Sequence, residues 1–138
     1  MGVSTDGILT YGVDFGEDLP KPLMEFMEDT ENDYSEYFYE KLGVKYENYD
    51  SYEAFSLAKD KVKHDIPCEI VMHCSYDFPM YIISIPGTTA NASRGWPEGQ
   101  GINILAPEPE KIEKMRKWFQ KEGWSWVEPQ WILASMWS

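Results

Sequence analysis

Cys68-Glu-Ile-Val-Met-His-Cys-Ser75, then Tyr76-Asp-Phe78, then Pro79-Met-Tyr-Ile-Ile-Ser-Ile-Pro86 is the stretch that decides the fold. It is the longest run of β-branched, aromatic and other apolar residues, and Tyr76-Asp-Phe78 interrupts it with a turn signal. Such a pattern predicts a central β-hairpin over residues 68–85. Outward from it, residues 8–15 alternate, with Leu9, Tyr11, Val13 and Phe15 on one face and Ile8, Thr10, Gly12 and Asp14 on the other. That period of two predicts another strand. A short helical turn at 23–27, a helix at 34–42 closed by Gly43, a weak strand at 44–49 and a helix beginning near Ser51 fill the interval. The Asp50-to-Glu53 spacing is that of a capping box.

Beyond the hairpin, residues 86–101 form a sixteen-residue loop with four glycines and two prolines. Residues 102–105 suit a short strand. A helix follows at 108–122, with Pro109 at its start, Lys117 and Lys121 late, Gly123 at its stop and Ile112, Met115, Trp118 and Phe119 as its apolar stripe. Two short strands, 124–127 and 131–137, meet at Pro129. Strands and about three helices without strict β-α-β alternation predict an α+β fold: one compact domain with a mostly antiparallel sheet.

The totals narrow the function. At 138 residues the chain is of single-domain size. Twenty-four acids against twelve bases leave a net charge of −12, which argues against direct binding of nucleic acid, because phosphates attract a surplus of Lys and Arg. No apolar run approaches the roughly 18 residues of a membrane span, and the first residues lack the pattern of a secretion signal. An intracellular protein with no membrane partner is expected. Two cysteines do not make a disulfide framework.

The hairpin holds the first candidates for chemistry. Cys68, His73 and Cys74 give C-x4-H-C spacing with no second ligand pair elsewhere. On a regular strand His73 and Cys74 point to opposite faces, which disfavours both a shared metal ion and a Cys–His dyad. No catalytic residue, metal ion or cofactor is therefore expected. A small-molecule or nucleotide pocket at the hairpin and the long loop is the alternative reading. It would use His73, Cys74 and Tyr81 with Arg94, one of only two arginines, and Trp96 from the loop.

The strongest compositional signal is acidic. Residues 14–53 hold thirteen acids and three lysines, or −10 of the total charge. Glu28, Asp29, Glu31, Asp33, Glu36 and Glu40 recur at three- and four-residue intervals, so a helix would line several up. Tyr37 lies among them, and Tyr34, Tyr39, Tyr46, Tyr49 and Tyr52 are close by. Tyrosine supplies large contact area at low entropic cost. The expected function is binding, through this acidic face, to a protein with a basic surface, including by imitation of the phosphate charge of nucleic acid.

Several segments together resemble a group of small uncharacterised proteins encoded by tailed bacteriophages and prophages. They are Met1-Gly-Val-Ser-Thr-Asp6, His73-Cys-Ser-Tyr76, Pro79-Met-Tyr-Ile82, Ala92-Ser-Arg-Gly95 and Trp131-Ile-Leu-Ala-Ser-Met-Trp-Ser138. The resemblance implies an accessory protein made in the cytoplasm of an infected bacterium, with a host protein as its partner. It implies no activity, ligand or catalytic residue.

Overall fold

The computed structural model describes residues 5–29, 34–92 and 107–137. The chain is α+β, with four α-helices and a five-stranded, mostly antiparallel mixed sheet among the described residues. It folds as two compact units, one formed by residues 1–19 and 68–138 and the other by residues 20–67.

The first unit holds the sheet. Strand β1 (Thr5–Gly16) is its axis. Along residues 5–12 it pairs with β5 (Gln130–Trp137), and on its opposite edge it takes first β4 (Ala90–Ala92) and then β3 (Pro79–Ser84). The expected hairpin is present: β2 (Glu69–Ser75) runs antiparallel to β3, with Val71 opposite Ile82 and His73 opposite Met80. At its far end β2 meets β5 in parallel, Cys74 beside Met136. The pairings β1–β3–β2–β5–β1 therefore close a circuit. One side of it holds a core of Ile8, Val71 and Ile82, against which Ile132, Ala134 and Met136 pack.

Thr10 and Ser84 are fully buried on the same side. The Thr10 hydroxyl donates to Ser84 Oγ at 2.8 Å and lies 2.8 Å from Thr89 Oγ1. Between β3 and β4 the ladder along β1 lapses, and Thr88 fills the gap: its Oγ1 accepts from Tyr11 N at 3.2 Å and donates to Ile85 O at 2.7 Å. Threonines here supply the partners that an irregular backbone would otherwise lack. At Gly12 the strands come too close for a side chain, because a Cβ would stand 2.4 Å from Ile83 O. Only glycine fits.

The other side of β1 carries Val13, which is buried, and Phe15, whose ring lies 6.0 Å from that of Phe119. Phe119 belongs to α4 (Pro109–Glu122), which buries Met115, Trp118 and Phe119 as the apolar stripe predicts. Gly123 ends α4 in the left-handed conformation. Its amide donates to Gln120 O and that of Trp124 to Phe119 O, a Schellman closure completed by contact of the Phe119 and Trp124 rings at 5.4 Å.

The second unit is helical: α1 (Lys21–Asp29), α2 (Tyr34–Lys41) and α3 (Tyr52–Val62). Leu23, Met27, Tyr37, Phe38, Val44 and Phe55 are buried in it. Gly43 closes α2 as expected, with φ of 83° and the bonds Gly43 N to Glu40 O and Val44 N to Tyr39 O. Four local expectations need correction. The range 86–101 is not all loop, because Ala90–Ala92 pair with β1 as strand β4. Ser51, not Asp50, caps α3, its hydroxyl accepting from Ala54 N. The weak strand at 44–49 is a 3-10 turn over Tyr46–Asn48, because its tyrosines gather on Phe55 rather than pair in a ladder. Residues 124–127 form no strand. The expected strand at 102–105 lies outside the described residues.

Candidate functional site

The acidic face is built on two helices rather than one. Glu28 is exposed near the end of α1, and Asp29 is the last residue of that helix. Glu31 and Asp33 lie outside the described residues. Glu40 is exposed on α2, whereas Glu36 is half-buried and already paired with Lys59. Tyr37 is a correction. It is only 4% exposed, its ring edge-on to Phe26 at 5.5 Å and to Phe38 at 5.7 Å, so it supports the face from beneath and offers no contact surface.

The residues that do face outward lie further along. Tyr46 and Tyr52 are 60% and 67% exposed. Their rings flank buried Phe55 at 5.4 Å and 6.5 Å, with Tyr49 at 5.9 Å. Glu47, Asp50 and Glu53, all exposed, alternate with these tyrosines. The spacing of Tyr46, Tyr49 and Tyr52 at every third residue was the available signal.

Lys59 shows how this unit holds a cation. Its ammonium donates to Glu36 Oε1 at 2.8 Å and lies 4.9 Å from the Tyr39 ring centre and 5.0 Å from that of Phe55. A carboxylate with two aromatic faces is a favourable setting for an ammonium ion. Burial acts to lower the Lys59 pKa, but the hydrogen bond and charge of Glu36 outweigh it and hold the pKa above its ordinary value. A raised folded-state pKa adds stability that is complete below the unfolded value of about 10.4 and is lost as pH rises through the folded one. In Glu36→Gln, where burial remains and the counter-charge is gone, the Lys59 Cε resonance should titrate at lower pH than in the parent. A double-mutant cycle with Lys59→Met should give about 1 kcal/mol of coupling. An unchanged titration would show that the pair does not form.

The alternative pocket is not assembled by the described residues. His73 and Tyr81 stand on opposite faces, since His73 pairs with Met80 while Tyr81 pairs with Met72. Tyr81 is 5% exposed. Arg94 and Trp96 lie outside the described residues. Cys74 is half-buried and adopts φ of 76°, rare for a residue with a side chain, where β2 turns to meet β5. A groove of about 190 Å³ exists elsewhere on the sheet, lined by Gly7, Ile8, Leu9, Ala90, Asn91, Ala92 and Leu133, none of them a residue proposed from the sequence.

Burial, with the negative charge of Glu122 adding to it, pushes the Cys68 thiol far up, so it is held as a protonated core residue rather than a nucleophile. Among the described residues no three His, Cys, Asp or Glu side chains gather as metal ligands, and no helix is long and apolar enough to cross a membrane. No family model, curated protein or solved structure matches the chain.

Proposed function

We propose that this chain is a binding protein, a phage accessory factor that acts in the cytoplasm of the bacterial host and engages a host protein bearing a basic surface. The contact is the acidic, tyrosine-rich helical unit, its carboxylates supplying negative charge of the kind that nucleic-acid phosphates present. The observation that supports this reading is the exposed run from Tyr46 to Glu53. Tyr46 and Tyr52 stand outward among Glu47, Asp50 and Glu53, the same residue types that hold the Lys59 ammonium in cis. Long-range attraction from a chain of net charge −12 would speed encounter with a basic partner.

The test is capture from bacterial lysate at low salt, identification of the partner, and measurement of its affinity. Reversing Glu28, Glu40, Glu47 and Glu53 together to lysine should weaken binding at least tenfold and leave the melting temperature nearly unchanged, since all four are exposed. Wild-type affinity should fall steeply with salt, and duplex DNA should compete. An affinity indifferent to both the reversal and the salt would remove the reading.

The alternative, a small-molecule or nucleotide site at the central hairpin and long loop, keeps one support: the Nε2 of His73 is buried without a hydrogen-bond partner among the described residues.

A further inference from the structure

A buried imidazole nitrogen that has given up water for no protein partner asks for an explanation. Among the described residues His73 Nε2 is such an atom, and the strand register sets methionines on its face of the sheet. Met80 is the residue directly opposite His73 on β3. Directly opposed residues share a face, with Cβ atoms about 4.5–5.5 Å apart. His73 lies two residues beyond Val71, and Met80 two before Ile82, so both extend the face that carries the Ile8, Val71 and Ile82 core. Met136 packs against that same core from β5. Strand β5 joins β2 at Cys74 and Met136, one residue from His73. Three neighbouring strands in the order β3-β2-β5 thus bring methionine, histidine and methionine to one side of the sheet at one end.

The chemistry of that set is selective. Thioether sulfur is a soft, neutral ligand that favours monovalent copper, and imidazole is a good third partner. Zinc, calcium and magnesium sites draw on thiolate, imidazole and carboxylate oxygen instead, and no three of the residues bearing those groups come together among the described residues. We propose that His73, Met80 and Met136 form a binding site for Cu(I), with Nε2 and the two Sδ atoms as ligands. The site is independent of the acidic helical unit. Cys74, beside Met136, is the rival ligand that any test has to separate.

The test titrates the full chain, without oxygen, with Cu(I) held by a chromogenic chelator. One equivalent should transfer to the protein. Met80→Leu with Met136→Leu preserves volume and apolarity, so a melting temperature near that of the parent shows that the fold persists, and Cu(I) affinity should fall at least a hundredfold. Cys74→Ser should change it less than threefold. Ag(I), as a diamagnetic probe, should shift the His73 Nε2 resonance in the parent and not in the double variant. Retention of all copper by the chelator overturns the proposal. So does transfer that survives the loss of both methionines, or that disappears with Cys74 alone.

Discussion

Alanine at Gly12 is expected to destabilise the protein by about 3 kcal/mol or more, the upper end of what overpacking costs. The added Cβ would stand 2.4 Å from Ile83 O, 2.7 Å from Ser84 Cα and 2.9 Å from Ser84 Oγ. Two of those atoms are backbone, so no rotamer change relieves the clash, and β1 and β3 have to separate. Separation would strain the pairing of Gly12 with Ser84 and the buried Thr10–Ser84 hydrogen bond together. Gly7→Ala is the control. Its Cβ would meet only the Ala92 Cβ at 3.8 Å, an ordinary contact, and stability should move by no more than about 0.5 kcal/mol. Urea unfolding of both variants decides the matter, and equal effects would show that the close approach is not real.

Phe119→Ala should cost about as much, roughly 3–5 kcal/mol, through the cavity left by a fully buried ring. Phe119 is a hub. Its ring meets Phe15 at 6.0 Å, Trp124 at 5.4 Å and Trp126 at 5.2 Å, and its carbonyl accepts the Trp124 amide that closes α4. Truncation removes three aromatic contacts and loosens the helix end at once. Tryptophan emission should therefore shift in the native state, before unfolding begins. Phe119→Leu, which keeps most of the volume, should cost about half as much. A loss below about 1 kcal/mol for the alanine variant would mean that the ring cluster carries little of the fold.

The parts of the fold that were legible in the sequence are those where local pattern and tertiary placement agree. The central hairpin followed from its apolar strands and turn, and α4 from Pro109, its apolar stripe and Gly123, because each rests on chemistry confined to about a dozen residues. Residues 44–49 misled for a tertiary reason: Tyr46 and Tyr49 suggested a strand, but Phe55 on α3 draws both rings to itself. Tyr37 misled for a geometric one. Tyr34, Tyr37, Phe38 and Tyr39 surround α2 with aromatic rings, so the sequence alone could not say which stripe turns inward.

The acidity of residues 14–53 could be counted, but its outward face could not be drawn, since Glu36 is engaged by a lysine twenty-three residues away. At the hairpin, the regular alternation that argued against shared chemistry of His73 and Cys74 fails at Cys74 itself, whose φ is positive. Met80 and Met136 could not be read as a group, because they lie on strands far apart in the chain that meet β2 from different sides.

The circuit of strands bears on how the protein is made. Strand β1 is synthesised early, yet along residues 5–12 its ladder partner is β5, at residues 130–137. At translation speeds of about 5–20 residues per second, β1 has to wait on the order of 6–25 seconds for that partner. Over that interval the edge of β1 that β5 will cover is open to other nascent chains, the circumstance that favours aggregation. The next segment to leave the ribosome is the acidic one at 14–53, with its charge of −10. Whatever that segment binds in the finished protein, its charge follows β1 in the chain and repels neighbouring copies while the circuit is open.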